Sequence, residues 1–315
     1  MDREEESIRK VTVVGAGQMG VGIGIEFARF GFQVYFYDTK ANYVENVMKQ
    51  SREDLDLMAE TGLITVSEVK PSLDRLHVTN QLETAVANTD YVVEAVFDKL
   101  ALKQELFSWL DQLCPSNVPL ATNTTTLRVT DIAANTRHPE RVLTTHYFQP
   151  PHFIPLVEVV GGEKTSQQII DQVVNLLRRL GKRVVVLEKD VNALVGARLQ
   201  AAFSGCIEGI LKEGLTSNVK DIDDIISFAF GRRLCYLANF KRLDFMGLDF
   251  LYATLKNSGK EIWEPIAQHV EKGEYGMKSG KGFYNWPGDT AQQELNRLKK
   301  GLAAMMLKDK EEGTI

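Results

Sequence analysis

The amino-acid sequence predicts an α/β fold, with an N-terminal doubly wound, mostly parallel sheet and a second, all-helical C-terminal domain. From Lys10 to about residue 187, short apolar strand patterns alternate with helix patterns, an order that builds a parallel sheet covered on both faces. After Asp190 the strand patterns stop, and apolar residues recur at three- and four-residue steps. The predicted domains are therefore residues 1–189, residues 190–288 and a helical tail at residues 289–315.

Each element follows from local periodicity and from its end signals. The predicted strands cover residues 11–14, 33–37, 91–95, 118–121, 141–148, 156–160 and 183–187. The predicted helices between them cover residues 19–30, closed by Gly31, then 42–60, 101–112 and 166–180. In the second domain, an apolar face from Leu199 to Leu211 predicts a long core helix that ends at Gly214. Further helices are expected at residues 221–229 and 248–257, and a tail helix carries Leu295, Leu298, Leu302 and Met305.

Composition and charge exclude several classes of partner. The chain of 315 residues has a formal net charge of -5 and no dominant basic run, so neither nucleic acid nor an anionic membrane surface is expected. Its long stretches without charge, such as residues 11–25 and 142–157, are shorter than the ~20 apolar residues of a membrane helix. The charged first nine residues resemble no targeting signal. A cytoplasmic protein with a small-molecule partner is the expectation.

Three cysteines lack the spacing of metal ligands. Cys114, Cys206 and Cys235 are an odd number of isolated thiols, which in an intracellular chain most often pack as small apolar groups. We therefore expect no metal site.

A glycine motif near the N-terminus carries the cofactor prediction. Gly15, Gly17 and Gly20, with Gln18 and Met19 between them, form G-x-G-x-x-G after an apolar strand and at the start of a helix. Asp38 ends the next strand, 18 residues after Gly20. This context predicts a Rossmann-type domain whose helix N-terminus binds a pyrophosphate, and whose acid accepts hydrogen bonds from the ribose. NAD is preferred over NADP because the Asp38 charge repels a 2'-phosphate, although the nearby Lys40 acts in the opposite direction.

His146 and Glu158 are the candidate proton-transfer residues. They lie on adjacent predicted strands joined by a proline-containing turn, which would bring the two side chains together. A histidine can take a hydroxyl proton while a carboxylate fixes its tautomer. Taken alone, the pair fits a purely structural histidine equally well.

Five segments carry a family resemblance. They are Gly15 to Gly20, VVEAVFDKLALKQELF at 92–107, NTTTL at 123–127, THYFQPPHFIPLVEVV at 145–160 and YGMKSGKGFYNWPG at 275–288. In order and spacing they resemble the motifs of the L-3-hydroxyacyl-CoA dehydrogenase superfamily, from about residue 10 to residue 288.

The resemblance implies an NAD-dependent oxidoreductase of fatty acid metabolism that exchanges a hydride with a 3-hydroxy group, and a homodimer formed by its helical domain. It implies that His146 is the general base, that Glu158 orients it, and that Thr125 contacts the substrate oxygen where acyl-CoA members usually carry Ser. Asp98 matches a family acid near the nicotinamide end, and Lys103 matches a family lysine on the cofactor.

Two departures concern the substrate. Acyl-CoA members read H-F-F-N-P where this chain has Gln149 in place of Asn, and P-G-F-x-x-N-R where residues 192–198 put Ala197 in place of Asn. Losing an amide from a polar site changes which substrate groups find hydrogen bonds. The chain is also similar to members that act on free hydroxy acids or ring alcohols, such as lambda-crystallin/L-gulonate, L-carnitine and pyridine-carboxylate dehydrogenases. Both a hydroxyacyl-CoA and a hydroxy acid remain open as substrates, and so does a catalytically idle NAD-binding protein.

Two further groups have a functional and a structural interpretation. His152, beside prolines in a loop, is either a second acid–base group or a packed or solvated side chain. Arg232 and Arg233 are either a carboxylate clamp or part of a solvated interhelical loop.

Overall fold

The computed structural model of the chain describes residues 8–40 and 43–315. It divides into two compact units, Met1–Ala202 and Phe203–Ile315. Over the described ranges, no helix combines the length and the apolar composition that crossing a bilayer requires.

An eight-stranded sheet organises the first unit. Its strands are β1 (Lys10–Val14), β2 (Gln33–Tyr37), β3 (Leu76–Thr79), β4 (Tyr91–Glu94), β5 (Leu120–Thr122), β6 (Val142–Tyr147), β7 (Leu156–Gly161) and β8 (Arg183–Val186). The spatial order is β3-β2-β1-β4-β5-β6-β7-β8, and only the β6–β7 pair is antiparallel. The mostly parallel, doubly wound sheet expected from the sequence is confirmed.

Helices cover both faces of this sheet. They are α1 (Gln18–Arg29), α2 (Tyr43–Glu60), α3 (Val66–Leu73), α4 (Leu82–Val86), α5 (Leu100–Leu113), α6 (Val129–Ile132) and α7 (Gln167–Arg179), with 3₁₀ turns at Ala133–Asn135 and Pro139–Arg141. Val13 and Val93 belong to one apolar core cluster, and Val14 and Val92 belong to the other. Because successive strand residues point to opposite faces, both faces of the sheet are buried under helices.

Sequence patterns missed the segment between α2 and β4. The helix predicted from residue 42 begins at Tyr43, residue 42 itself lying outside the described residues. Helix α3 contains Pro71, which interrupts a helical pattern, and β3 is only four residues long. These short elements bury apolar side chains in the core cluster that includes β2. They contain too few residues to show a clear periodic pattern, so the sequence alone does not predict them.

The second unit is helical apart from isolated bridges at Lys281. It begins within α8 (Val195–Lys212) and continues with α9 (Val219–Ile225), a π-helical turn (Ile226–Phe230), α10 (Gly231–Leu234), α11 (Asn239–Met246), α12 (Leu248–Asn257), α13 (Glu264–Glu271), a 3₁₀ turn (Met277–Ser279) and α14 (Thr290–Glu312). The expected all-helical second domain is confirmed.

The compact units of the structure divide within α8. The first unit extends past residue 189 to Ala202, because the first turns of α8 pack on residues of the sheet. The tail at residues 289–315 is part of the second unit, where Asp309 of α14 is hydrogen-bonded to Arg232.

The prediction that α8 is a core helix is wrong. None of its side chains is buried, and Leu199 is 68% exposed. Apolar residues at three- and four-residue steps show that a helix has an apolar face. They do not show whether another element covers that face. Among the described residues, no element buries the apolar face of α8, and large side chains such as Leu199 and Leu211 stay exposed.

Candidate active site

The glycine loop lies at the point where the strand order reverses. Strands β2 and β3 extend the sheet on one side of β1, whereas β4 and the strands after it extend it on the other. The connections on the two sides diverge at the carboxyl ends of β1 and β4 and leave a crevice there, the usual ligand position in an open α/β sheet. Residues 15–20 enter this crevice directly after β1.

Each of the three glycines in the loop has a different structural role. Gly15 has a φ of +101°, and a Cβ there would lie 2.8 Å from the Ala95 carbonyl oxygen. A Cβ on Gly20 would overlap the Gly15 carbonyl oxygen. A Cβ on Gly17, in contrast, would meet no atom within 4 Å. Because no described residue beyond its chain neighbours would hinder a side chain at Gly17, a glycine there fits a ligand that approaches the backbone closely.

The start of α1 suits an anion. Gly17 is the N-cap residue, with no side-chain cap, and the first turn, which contains Gln18 and Met19, carries no acidic residue. The first-turn N–H groups and the positive end of the helix dipole are therefore not neutralised by an acidic side chain of that turn. Gln149 Nε2 donates a 2.7 Å hydrogen bond to Gln18 Oε1 at the rim of this site.

Asp38 lies beside the glycine loop, immediately after β2. Its Oδ2 accepts a 3.0 Å hydrogen bond from Ala16 N, and its Oδ1 accepts a 3.1 Å bond from Lys40 N. Each carboxylate oxygen can accept a second hydrogen bond, so the group retains capacity for ribose hydroxyls. The residues of the loop, the helix start and the acid together fit a dinucleotide.

Lys103 is fully buried. Its ammonium lies 2.6 Å and 2.8 Å from the two carboxylate oxygens of Glu94 and 3.3 Å from Asp98 Oδ1. A buried lysine needs such partners, because the desolvation of an unpaired ammonium is costly. Direct contact of Lys103 with the cofactor stays a prediction. In the structure, its charge is shared between these two carboxylates.

Asp98 connects this ion pair to the loop after β5. Its Oδ2 accepts hydrogen bonds of 3.2 Å from Thr125 N and from Thr126 Oγ1. Partial burial alone raises the pKa of Asp98, but the Lys103 ammonium and the Thr125 N–H outweigh it and hold that pKa below its usual value. Asp98 is therefore a carboxylate that holds the Thr125 loop at the crevice.

His146 and Glu158 face each other across the antiparallel β6–β7 pair. They are directly paired in the β6–β7 register, so both side chains leave the same face of the sheet. His146 Nδ1 lies 2.7 Å from Glu158 Oε2, and His146 Nε2 lies 3.3 Å from Thr125 Oγ1. Both members of the pair are almost fully buried. The Glu158 carboxylate accepts a hydrogen bond from the Nδ1–H of neutral His146, which leaves the Nε2 lone pair directed toward Thr125.

Two more residues enclose this pair. The N–H of Gly196, in the first turn of α8, donates a 2.9 Å hydrogen bond to Glu158 Oε1. The ring of Phe148 lies 4.7 Å from the His146 ring, centroid to centroid. Sequence reasoning missed both roles. For Gly196, the sequence signal was a glycine in the first turn of a helix, where glycine is disfavoured.

The remaining candidates lie in packed or paired environments. His152 is 7% exposed and its Nε2 lies 3.4 Å from Asp54 Oδ2, so it is packed rather than solvated. The Arg232 guanidinium is engaged on both oxygens of Asp309. The carboxylate that Arg232 binds therefore belongs to the protein itself and not to a ligand. Arg233 lies in the same short helix. All three cysteines are free.

The fold and the site define a class of protein: a Rossmann-type dinucleotide-dependent oxidoreductase with a buried histidine–carboxylate pair on neighbouring strands of its sheet. Residues 10–191 match the family model for the NAD-binding domain of 3-hydroxyacyl-CoA dehydrogenase, and residues 194–286 match the model for its C-terminal domain. The chain belongs to the 3-hydroxyacyl-CoA dehydrogenase family. It is an NAD-dependent enzyme that acts on CH–OH groups.

Relatives within the family differ in substrate. The chain is 33% identical to a probable 3-hydroxybutyryl-CoA dehydrogenase of Bacillus subtilis, over 90% of this chain and 99% of that protein. It is 29% identical to the 5-formyl-3-hydroxy-2-methylpyridine 4-carboxylate 5-dehydrogenase of Mesorhizobium japonicum, over 94% and 97% of the two chains. A solved 3-hydroxyacyl-CoA dehydrogenase of Archaeoglobus fulgidus superimposes with a TM-score of 0.77 at 30% identity, covering 95% of this chain and 99% of the other.

Proposed function

We propose that this enzyme reversibly oxidises the 3-hydroxy group of a 3-hydroxyacyl-CoA or a related 3-hydroxy acid, with His146 as the general base. The observation that carries the proposal is the chain of contacts from Glu158 through His146 to Thr125, at the same sheet edge as the glycine loop. The likeness to 3-hydroxybutyryl-CoA and 3-hydroxyacyl-CoA dehydrogenases over nearly the whole chain supports the 3-hydroxyacyl part of the proposal.

The residues divide the reaction between them. Thr125 Oγ1 and His146 Nε2, 3.3 Å apart, together bind the substrate hydroxyl. In the oxidative direction His146 Nε2 takes the hydroxyl proton, the C–O bond becomes a carbonyl, and the carbon-bound hydrogen leaves with its electron pair. NAD, when bound, accepts that hydride. Glu158 stabilises the imidazolium that forms, and the burial of the pair strengthens this interaction. In the reductive direction His146 returns the proton.

A second candidate substrate class is a free hydroxy acid or ring alcohol. Ala197 and Gln149 stand where acyl-CoA members usually carry Asn, and Gln149 is hydrogen-bonded to Gln18. Relatives named as a pyridine-carboxylate dehydrogenase and as L-carnitine dehydrogenases support this class. The connected Thr125, His146 and Glu158 side chains argue against a catalytically idle protein.

The proposal includes assembly and location. We infer a homodimer from the exposed apolar side chains of α8, and a cytoplasmic location from the three free cysteines, two of which are exposed.

The testing experiment is a substrate panel read by NADH absorbance. It contains acetoacetyl-CoA and longer 3-oxoacyl-CoA thioesters for reduction, and 3-hydroxybutyrate, L-gulonate and L-carnitine for oxidation. His146→Gln should reduce kcat on the active substrate by ~100-fold or more, because general acid–base catalysis contributes that much. NADH affinity should stay unchanged because the glycine loop is untouched.

The matched control is His269→Gln. His269 Nδ1 lies 2.7 Å from Glu274 Oε2, so it belongs to a pair of the same kind in the second unit. This variant should keep wild-type kcat. Near-normal turnover by His146→Gln would overturn the proposed base.

A further inference from the structure

The hydrogen bonds of Glu158 extend beyond His146. Glu158 is 3% exposed and lies on β7, and its two carboxylate oxygens have different partners. Oε2 faces His146 Nδ1 at 2.7 Å, and Oε1 accepts the Gly196 N–H at 2.9 Å. Gly196 is 38 residues further along the chain and lies in the first turn of α8. The orientation of the carboxylate is thus set from both sides, by the imidazole and by the start of a helix.

The packing around Gly196 leaves no room for a side chain. A Cβ there would overlap the Phe148 ring, with Phe148 Cε1 at 2.6 Å, and would lie 3.5 Å from Glu158 Oε2. The Phe148 ring in turn packs on the His146 ring. The backbone conformation does not require glycine at this position, because Gly196 is helical and does not have a positive φ. The requirement therefore comes from Phe148.

We propose that Gly196 is a positioning residue for the His146–Glu158 pair, acting through its N–H on Glu158 and through its lack of a side chain on Phe148. The motif P-G-F-x-x-N-R leaves this position unspecified, so the role is inferred from the geometry of this chain. The inference rests on the proposed function of His146. A shift of about 1 Å in a general base costs up to ~100-fold in rate.

The test uses Gly196→Ala, with Gly205→Ala as the matched control. Both are helical glycines of α8, but a Cβ at Gly205 meets no atom within 4 Å. Alanine favours a helix over glycine, so neither change should weaken α8 itself. Gly196→Ala should lower kcat for acetoacetyl-CoA, or for whichever panel compound is active, at least tenfold. Its NADH dissociation constant should stay within twofold of wild type. Gly205→Ala should match wild type in both.

Two readouts separate positioning from general structural damage. In protein labelled with ¹⁵N-histidine, the His146 signal, assigned by its loss in His146→Gln, should show the Nδ1–H tautomer in wild type and in Gly205→Ala, and a mixture in Gly196→Ala. Phe148→Leu should reduce the effect of Gly196→Ala, since removing the ring removes the overlap and makes the two changes non-additive. Circular dichroism and NADH binding confirm that each variant is folded.

The outcomes keep the two proposals apart. Wild-type kcat and an unchanged His146 tautomer in Gly196→Ala would overturn the positioning role, even if His146→Gln is inactive. Normal turnover by His146→Gln would overturn the proposed function, while the tautomer measurement would still report whether Gly196 orients the ring.

Discussion

Ala193 shows how a single residue can hold strain at the edge of a site. Its φ is +58°, a left-handed conformation that costs a residue with a Cβ about 1 kcal/mol or more. The conformation lets Ala193 N donate to the Thr126 carbonyl at 3.2 Å, and Leu194 N donate to the Thr125 carbonyl at 3.4 Å. The residues just before α8 are thereby held against the Thr125 loop.

Ala193→Gly should stabilise the protein. Glycine adopts a positive φ without steric cost, and its greater freedom in the unfolded chain offsets part of the gain, leaving about 0.5 kcal/mol. Urea unfolding followed by circular dichroism would measure it as a higher midpoint. Ala202→Gly, at an exposed position inside α8, should do the opposite and cost up to ~1 kcal/mol. A lower midpoint for Ala193→Gly would show that the strain is absent.

Asp38 should determine the choice between NAD and NADP. Its carboxylate accepts a hydrogen bond from Ala16 N in the glycine loop. At this position it favours ribose hydroxyls and repels a 2'-phosphate. Asp38→Ala should lower kcat/KM for NAD by roughly tenfold to a hundredfold, since hydrogen bonds to a charged group contribute ~1.5–3 kcal/mol, and should raise kcat/KM for NADP.

The charge control for this experiment is Asp74→Ala, which removes an exposed carboxylate paired with Lys70. It should leave both values unchanged. Equal use of NAD and NADP by the wild-type enzyme would contradict the role of Asp38.

At the scale of elements, the loop between β6 and β7 packs tightly on α1 and α2. A Cβ on Gly22 of α1 would lie 2.6 Å from His152 Nδ1, and Asp54 of α2 lies 3.4 Å from its Nε2. Burial lowers the pKa of His152, with Lys182 and Arg29 acting in the same direction and the Asp54 carboxylate opposing them. His152 is therefore a packed histidine that resists protonation.

This packing predicts acid sensitivity with a definite sign. Because the pKa of His152 is lower in the folded protein than its usual ~6.5, the unfolded chain binds the proton more readily. Stability is thus fully present above pH ~6.5 and is lost as the pH falls below it, by up to ~1.4 kcal/mol per pH unit until the folded pKa is reached. His152→Gln should lack this loss.

Urea unfolding of wild type and His152→Gln at pH 7.5, 6.5 and 5.5 would measure the difference. Burial raises the pKa of the nearby Glu26, which acts in the opposite direction, but Glu26 is present in both proteins and largely cancels in the comparison. His138→Gln, which changes a more exposed histidine, should keep the acid loss. Parallel pH curves for wild type and His152→Gln would rule out the explanation.

At the scale of the whole molecule, large apolar side chains remain exposed on the helices of the second unit. Phe203 and Leu211 on α8 are each 37% exposed, and further exposed apolar residues include Phe228, Phe240, Phe245 and Phe250. Concentrated exposed apolar side chains mark association surfaces more often than free surface. A two-fold dimer is the commonest arrangement that buries such a surface.

Light scattering at micromolar concentration should give twice the chain mass of 35.3 kDa. The double variant Phe203→Glu/Leu211→Glu should give the monomer, because it places charges on the apolar face of α8. Leu57→Glu, at an exposed leucine of α2, should remain dimeric. A wild-type mass of 35.3 kDa would argue against the dimer.

The sequence alone determined what is encoded within short spans. The glycine spacing, the acid after the second strand and the change from strand to helix patterns predicted a Rossmann-type unit followed by a helical one, and both are confirmed. His146 and Glu158 could be proposed as partners because only twelve residues and one turn separate them.

Only the tertiary structure decided what depends on distant parts of the chain. It placed the Gly196 N–H on Glu158, buried Lys103 on Glu94, packed His152 beside Asp54 and left large apolar side chains of α8 exposed. Periodicity reports which side chains are apolar or close in sequence. Which groups then meet, and which surface stays exposed, depends on how whole elements pack, because contacts between residues far apart in sequence form only when the sheet and helices assemble.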